Sequence, residues 1–216
     1  MSMYELSYID TLKEISDQGG DRAHLITRLS HVLRNHDMYT DGHNHRVGEV
    51  ARSIAEALAL PSHVVQQIQD AGSLHDIGKL EVPTSYIRKS GALSAGEYDQ
   101  IKLHPELGAK ILYRFPVLLN LIEGVLYHHE RFDGLGYPFG LCGEEIPLSA
   151  RIIALADTFD AMTSERSYRK AMGTDEALEE LMRCSGSQFD PRLVEVMTSL
   201  RRDLDRIPHF QRIVSA

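Results

Sequence analysis

The stretch His43-Asn44-His45-Arg46-Val47-Gly48-Glu49-Val50-Ala51-Arg52-Ser53-Ile54-Ala55-Glu56-Ala57-Leu58-Ala59-Leu60 decides the fold. Val47, Val50, Ala51, Ile54 and Leu58 recur at the spacing of one helical face, so they point inward together. Thr40-Asp41-Gly42 punctuates the chain before this helix, and Pro61-Ser62 starts another that runs towards His75-Asp76, where Gly78 ends or tightens it. Upstream, Leu6 to Ser16 has helical spacing and Gly19-Gly20 breaks it; Leu25, Leu29, Val32 and Leu33 then form the stripe of a further helix. Downstream, residues 83–96 read as loop and short turns. Ser94 with Glu97 reads as a capping box for a helix near Ala95 to Leu103. Pro105 suits the first turn of a helix through Tyr113. Helices are also expected over Pro116 to His129, Ser149 to Met162, Thr174 to Cys184 and Pro191 to Arg201. Residues 133–138, Asp133-Gly134-Leu135-Gly136-Tyr137-Pro138, form an irregular loop. Hairpin signals are absent, so the fold class is all-α, a helical bundle.

Chemistry is concentrated in five short clusters on this scaffold: His43, His75-Asp76 with Lys79 behind, His104, His128-His129, and Asp157. Read alone, His43 is a capping or surface histidine and His104 a structural one. Adjacent helical residues point about 100° apart, so one ion reaches both His75 and Asp76 only at their shared edge, leaving Asp76 able to bridge to a second. Lys79 follows on the same face and reads as a phosphate partner or a solvated charge. Asp157 lies in the otherwise apolar Ile152-Ile153-Ala154-Leu155-Ala156-Asp157, where a carboxylate is costly to bury unless paired or metal-bound. Together the clusters hold more ligands than one ion uses. They suit two transition ions that share a carboxylate and keep a position for water. Two such ions about 3.5–4 Å apart are a device for cutting phosphodiesters.

Composition sets the outer bounds. The 216 residues are 43% hydrophobic and 25% charged, with a formal charge of −8, which argues against a broad nucleic-acid or anionic-membrane footprint. An anionic small substrate remains open, because bound cations invert the local potential. Cys142 and Cys184 are too few for a disulfide scaffold and fit a reducing cytoplasm. No apolar run approaches the roughly 18–20 residues of a membrane helix. Glu5, Asp10, Glu14 and Asp17 argue against a signal peptide. His24, His31, His36, His45, His63 and His209 lie off the clusters and read as surface or capping residues.

The string His75-Asp76-Ile77-Gly78-Lys79, with His128-His129-Glu130-Arg131-Phe132 and the 133–138 loop after it, resembles the HD-GYP family, a bacterial subgroup of HD phosphohydrolases. The similarity runs through residues 39–47, 102–108, 146–157 and 164–170 to Gln188-Phe189-Asp190-Pro191, in order and spacing. It implies a domain over residues 21–216 behind an N-terminal helix or linker at 1–20, and a cytoplasmic phosphodiesterase acting on cyclic di-GMP. By this resemblance His43, His75, Asp76, His104, His128, His129 and Asp157 are metal ligands, with Asp76 bridging. The resemblance implies iron or manganese as the ions, with cobalt, nickel and zinc also chemically acceptable. Lys79 would meet the scissile phosphate, Arg166 and Arg169 would hold phosphate or guanine from the other side, and Gly136-Tyr137-Pro138 would shape the pocket. Candidate partners are an upstream receiver or sensory domain, a GGDEF-type protein and a second copy of the chain. Some members carry a glutamate four residues before the first histidine that brings in a third metal. Tyr39 stands there here, so two ions are expected.

The residues also suggest the chemistry. A bridging water ionised near neutral pH would attack phosphorus in line; with the substrate that the resemblance implies, the product would be linear pGpG and, if that rebinds, GMP. Arg46 and Glu130 are expected to orient the histidines beside them, as metal-bound imidazoles require. Two other readings stay open: a phosphohydrolase for another nucleotide or cyclic dinucleotide, and a module that senses the messenger or redox state without turnover.

Overall fold

A computed structural model describes residues 3–36, 42–165 and 170–204. It consists of helices and connecting turns: α1 (Met3–Gln18), α2 (Arg22–His36), α3 (His43–Ala57), α4 (Ser62–Leu74), α5 (Thr84–Ile87), α6 (Ala95–Ile101), α7 (His104–Leu112), α8 (Ile122–Tyr127), α9 (Leu148–Thr163), α10 (Thr174–Arg183), α11 (Pro191–Ser199) and α12 (Arg201–Leu204). Among the described residues β-structure is limited to isolated bridges, Asp133 with Cys142 and Ser185 with Phe189. No helix among them is long and apolar enough to cross a membrane. The all-α expectation holds.

The inward face of α3 is as its spacing required. Val47, Val50, Ala51 and Ile54 are buried against α4 and α9, and Leu58 packs at the edge of the same core. The helix stops at Ala57 rather than Leu60, because Ala59 takes a left-handed φ of 54° that turns the chain into Pro61. Leu12 and Ile15 of α1 are buried with Leu25, Leu29 and Leu33 of α2 in that core. The Ser94 box is complete: its hydroxyl accepts from the Glu97 amide at 3.3 Å, and the Glu97 carboxylate accepts from the Ser94 amide at 2.7 Å.

The segment from Pro116 differs from the single helix expected. Pro116–Leu121 is a tighter 3-10 helix, and α8 begins only at Ile122. In the tighter turn the Val117 carbonyl and Asn120 Oδ1 face Arg22, whose guanidinium donates to them at 3.1 and 2.8 Å. The chain after α4 also tightens, into a 3-10 helix over Ile77–Glu81. Gly78 is required there: a Cβ would run into the His104 carbonyl and the Gly108 amide, so only glycine lets α7 carry His104 against this turn.

Candidate metal centre

His75, His104 and His128 stand at helix ends, and the backbone there sets their chemistry. The last carbonyls of a helix have no intrahelical partner. His75 directs Nδ1 to the Gly72 carbonyl at 2.8 Å, His104 to Ile101 at 2.8 Å, and His128 to Val125 at 2.7 Å. A carbonyl only accepts, so each Nδ1 carries the hydrogen and each Nε2 keeps a lone pair. These lone pairs converge: the Nε2 atoms of His104 and His128 lie 3.3 Å apart. Two unprotonated nitrogens at that distance repel unless a cation lies between or beside them. The C-terminal ends of α4, α6 and α8 add a negative dipole field in the same place.

The donor atoms fall into overlapping groups in which every atom lies within 4.8 Å of the others: His43, His75 and Asp157; His104, His128 and His129; and His75, Asp76 and His128. Asp76 faces both halves. Its Oδ2 lies 3.5 Å from His75 Nε2, and its Oδ1 lies 3.4 Å from His104 Nε2. His75, Asp76, His104 and His128 are buried. Asp157 keeps 23% of its side chain exposed and Lys79 22%, so both face an opening to solvent. The donor set fits a divalent transition metal: neutral imidazoles with inward lone pairs, and carboxylates for charge.

Electrostatics separate the two halves. Burial lowers His104 to about 3 and His129 to about 4, and places His128 well below its ordinary value, reinforced by neighbouring imidazoles. Burial opposes charge on His43 too, but Asp157 and Asp160 outweigh it and raise this group to about 9. The His43 ring lies between them, with Nε2 3.2 Å from Asp157 Oδ1 and Nδ1 2.7 Å from Asp160 Oδ2. Asp76 is held well below the carboxylate range: desolvation works against ionisation, but Lys79, His75, His104 and His43 overcome it. Lys79 Nζ lies 2.6 Å from Asp76 Oδ2. In a 3-10 turn residues three apart eclipse, which stands the lysine directly over the carboxylate.

Tyr137 stacks on His129, with ring centroids 4.7 Å apart and planes 22° from parallel, so the glycine-rich loop does border the centre. Gly136 makes this possible, because a Cβ there would meet the backbone of His129, Glu130 and Arg131. Asp133 braces the loop through a two-point pair with Arg131 (3.0 and 2.6 Å) and accepts from the Leu135 amide at 3.0 Å. Gly134 takes a φ of 79° beside it, and Pro138 follows a cis Tyr137–Pro138 bond.

The expectation for Glu130 needs correction. Glu130 does not orient the histidine pair: its buried carboxylate accepts from the Phe139, Gly140 and Leu141 amides at 2.7, 3.1 and 3.2 Å, fastening the loop instead. Arg46 reaches His43 through Asp160, to which it donates at 2.5 and 3.0 Å. Asp160 is the site residue the sequence reading missed; its signal was a second aspartate three positions after Asp157, on the same face of α9. Asp190 of the closing signature caps α11 and pairs with Arg151 at 2.5 Å. Tyr39, Arg166 and Arg169 lie outside the described residues.

The HD domain family profile matches residues 28–193. The chain is 41% identical over 186 residues to the cyclic di-GMP phosphodiesterase response regulator RpfG of Xanthomonas campestris, covering 84% of this chain and 49% of that protein. It is 37% identical over 216 residues to a cyclic di-GMP phosphodiesterase of Thermotoga maritima, covering 94% of this chain and 59% of that one. A solved cyclic GMP-AMP specific phosphodiesterase of Vibrio cholerae superposes with a TM-score of 0.59 at 25% identity, over 88% of this chain and 52% of that structure. The chain spans about half the length of these curated relatives.

Proposed function

This chain belongs to the HD domain family, in its HD-GYP branch, and from that premise we propose that it hydrolyses cyclic di-GMP at a two-metal centre. The observation that carries the proposal is Asp76, which turns one carboxylate oxygen to the His75 side and the other to the His104 side. A carboxylate so divided suits a bridge. His43, His75 and Asp157 would hold one ion, and His104, His128 and His129 the other. Iron or manganese is the proposed metal, since mixed imidazole and carboxylate ligation suits both. Bound ions of this kind lower the pKa of a coordinated water and polarise a phosphoryl oxygen.

The chain's own residues do the remainder. Lys79 stands at the solvent-facing edge, where its ammonium can move from Asp76 to a non-bridging oxygen of the substrate and stabilise charge as it develops. Tyr137, pinned on His129, walls the pocket and excludes water from one side. Arg166 and Arg169 are proposed to hold the distal phosphate or guanine. The first product would be pGpG. Two free cysteines and a negative net charge suit a cytoplasmic setting.

A second reading, a cyclic GMP-AMP phosphodiesterase, is favoured by the Vibrio cholerae structure, because a metal centre and Lys79 would act on phosphate and would not themselves distinguish the bases. The test is product chromatography with cyclic di-GMP, 3′3′-cyclic GMP-AMP and an aryl phosphodiester, each with Mn²⁺ or Fe²⁺ under anaerobic conditions. Preferential release of pGpG supports the first reading, and preference for the mixed dinucleotide supports the second. Turnover of the aryl ester alone, or binding without product, defeats both.

A further inference from the structure

His43 differs from the other histidines in its backbone setting. His75, His104 and His128 each lean on an unpartnered carbonyl at a helix end. His43 opens α3, where the unpartnered groups are amides rather than carbonyls, so no acceptor of that kind is available. A carboxylate from another helix takes that place. Asp160 is fully buried, and its oxygens meet His43 Nδ1 at 2.7 Å, Arg46 Nε at 2.5 Å, Arg46 Nη2 at 3.0 Å and Ser164 Oγ at 3.3 Å. The guanidinium binds it in a two-point fork and itself donates to Ser164 Oγ at 3.0 Å, so the carboxylate has little freedom to turn.

We propose that Asp160, clamped by Arg46, is a positioning residue that keeps the His43 hydrogen on Nδ1 and aims Nε2 at the half of the centre shared with His75 and Asp157. A purely structural Arg46–Asp160 pair would need no imidazole. Here Oδ2 serves both Arg46 Nη2 and His43 Nδ1, which ties ring orientation to the ion pair. The same carboxylate makes His43 a more basic ligand than a carbonyl-backed imidazole. The inference rests on the two-metal reading, and the experiment separates the two.

Metal is measured by equilibrium dialysis with Mn²⁺ on the whole chain, wild type against Asp160→Asn, and the His43 tautomer is read from ¹⁵N shifts of the metal-free protein near pH 10. Asp160→Asn is expected to weaken binding in the His43 half about 10–100-fold, while the His104 half stays within about twofold, so stoichiometry at limiting metal falls from two to one. The neutral tautomer should pass from Nδ1–H to Nε2–H, because only Asp157 then remains as an anionic acceptor. Two ions retained at wild-type affinity overturn the proposal, and so does an unchanged tautomer. Wild type binding a single ion defeats the two-metal reading alone, and the tautomer then decides the role of Asp160. Should Asp160→Asn lose its helical circular dichroism, Arg46→Lys carries the same test. Its single-point contact should weaken only the His43 half, and an even loss from both halves overturns the proposal.

Discussion

Metal uptake should depend on pH in one half of the centre and not in the other. His43 is raised from 6.5 to about 9, so at pH 7 it carries a proton that an incoming ion must displace. His43 is about 1% deprotonated at pH 7 and half deprotonated at pH 9, which makes uptake in the His43 half about 50-fold weaker at pH 7 than at pH 9, or about 2.3 kcal/mol. His104 and His129, at about 3 and 4, have no proton to lose over this range, so the other half should show a flat profile above about pH 5. The same group shapes stability. Its folded value lies above its unfolded one, so its contribution to the metal-free protein is complete below about pH 6.5 and disappears as pH rises through about 9. Titration calorimetry at pH 7 in two buffers of different ionisation enthalpy reads the displaced proton, and ¹⁵N shifts of the metal-free protein read His43 directly. Affinity in both halves constant from pH 7 to 9, with His43 titrating near 6.5, would refute the reasoning.

Asp76→Ala should lose both bound metal and hydrolysis, checked by elemental analysis and product chromatography, because the carboxylate serves both halves. Lys79→Ala should keep its metal while turnover falls about 10²–10³-fold; equal kinetics in the two proteins would remove its role on phosphate. Gly136→Ala should retain metal and lower kcat/KM on the order of 10²-fold, since the added Cβ pushes the loop off Glu130 and lifts Tyr137 from His129. Phe159→Ala, at a fully buried position on α9, should cost about 3–5 kcal/mol in denaturant unfolding.

What the sequence made legible was periodic or local. The α3 stripe and the Ser94–Glu97 box depend on spacings within one turn or one face, and both hold in three dimensions. The histidines and aspartates were named as a set through the family resemblance, and the structure gathers their donor atoms. Asp160 was invisible for the converse reason. Its meaning lies in a contact to His43 across 117 positions of sequence, and periodicity on α9 alone reads it as one more polar turn. Glu130 misled because adjacency to a ligand suggests support for that ligand, whereas the backbone turn sends its carboxylate to amides nine to eleven residues ahead. The carbonyl backing of His75, His104 and His128 depends on where each helix stops, which sequence reads only to within a residue or two.

Charge explains how a chain of net charge −8 can receive an anionic substrate. In the structure the carboxylates of Asp76, Asp157 and Asp160 are matched by Lys79, Arg46 and the raised His43, so the centre is close to neutral overall. On the proposed reading, two divalent ions replace a single proton from His43. The centre then becomes strongly positive, while the imidazoles supply ligation without cancelling that charge. A competing positive field also weakens the hold of Asp76 on Lys79, leaving its ammonium available to phosphate. The lysine therefore reports on loading. In the metal-free protein its ammonium should be restrained by the 2.6 Å contact to Asp76, and Mn²⁺ or a diamagnetic substitute such as Zn²⁺ should release it. The ¹⁵N signal of Lys79 Nζ, followed through a Zn²⁺ titration, should sharpen and shift towards that of a solvated ammonium; a signal that keeps its metal-free position at full occupancy would mean that Asp76 does not bridge.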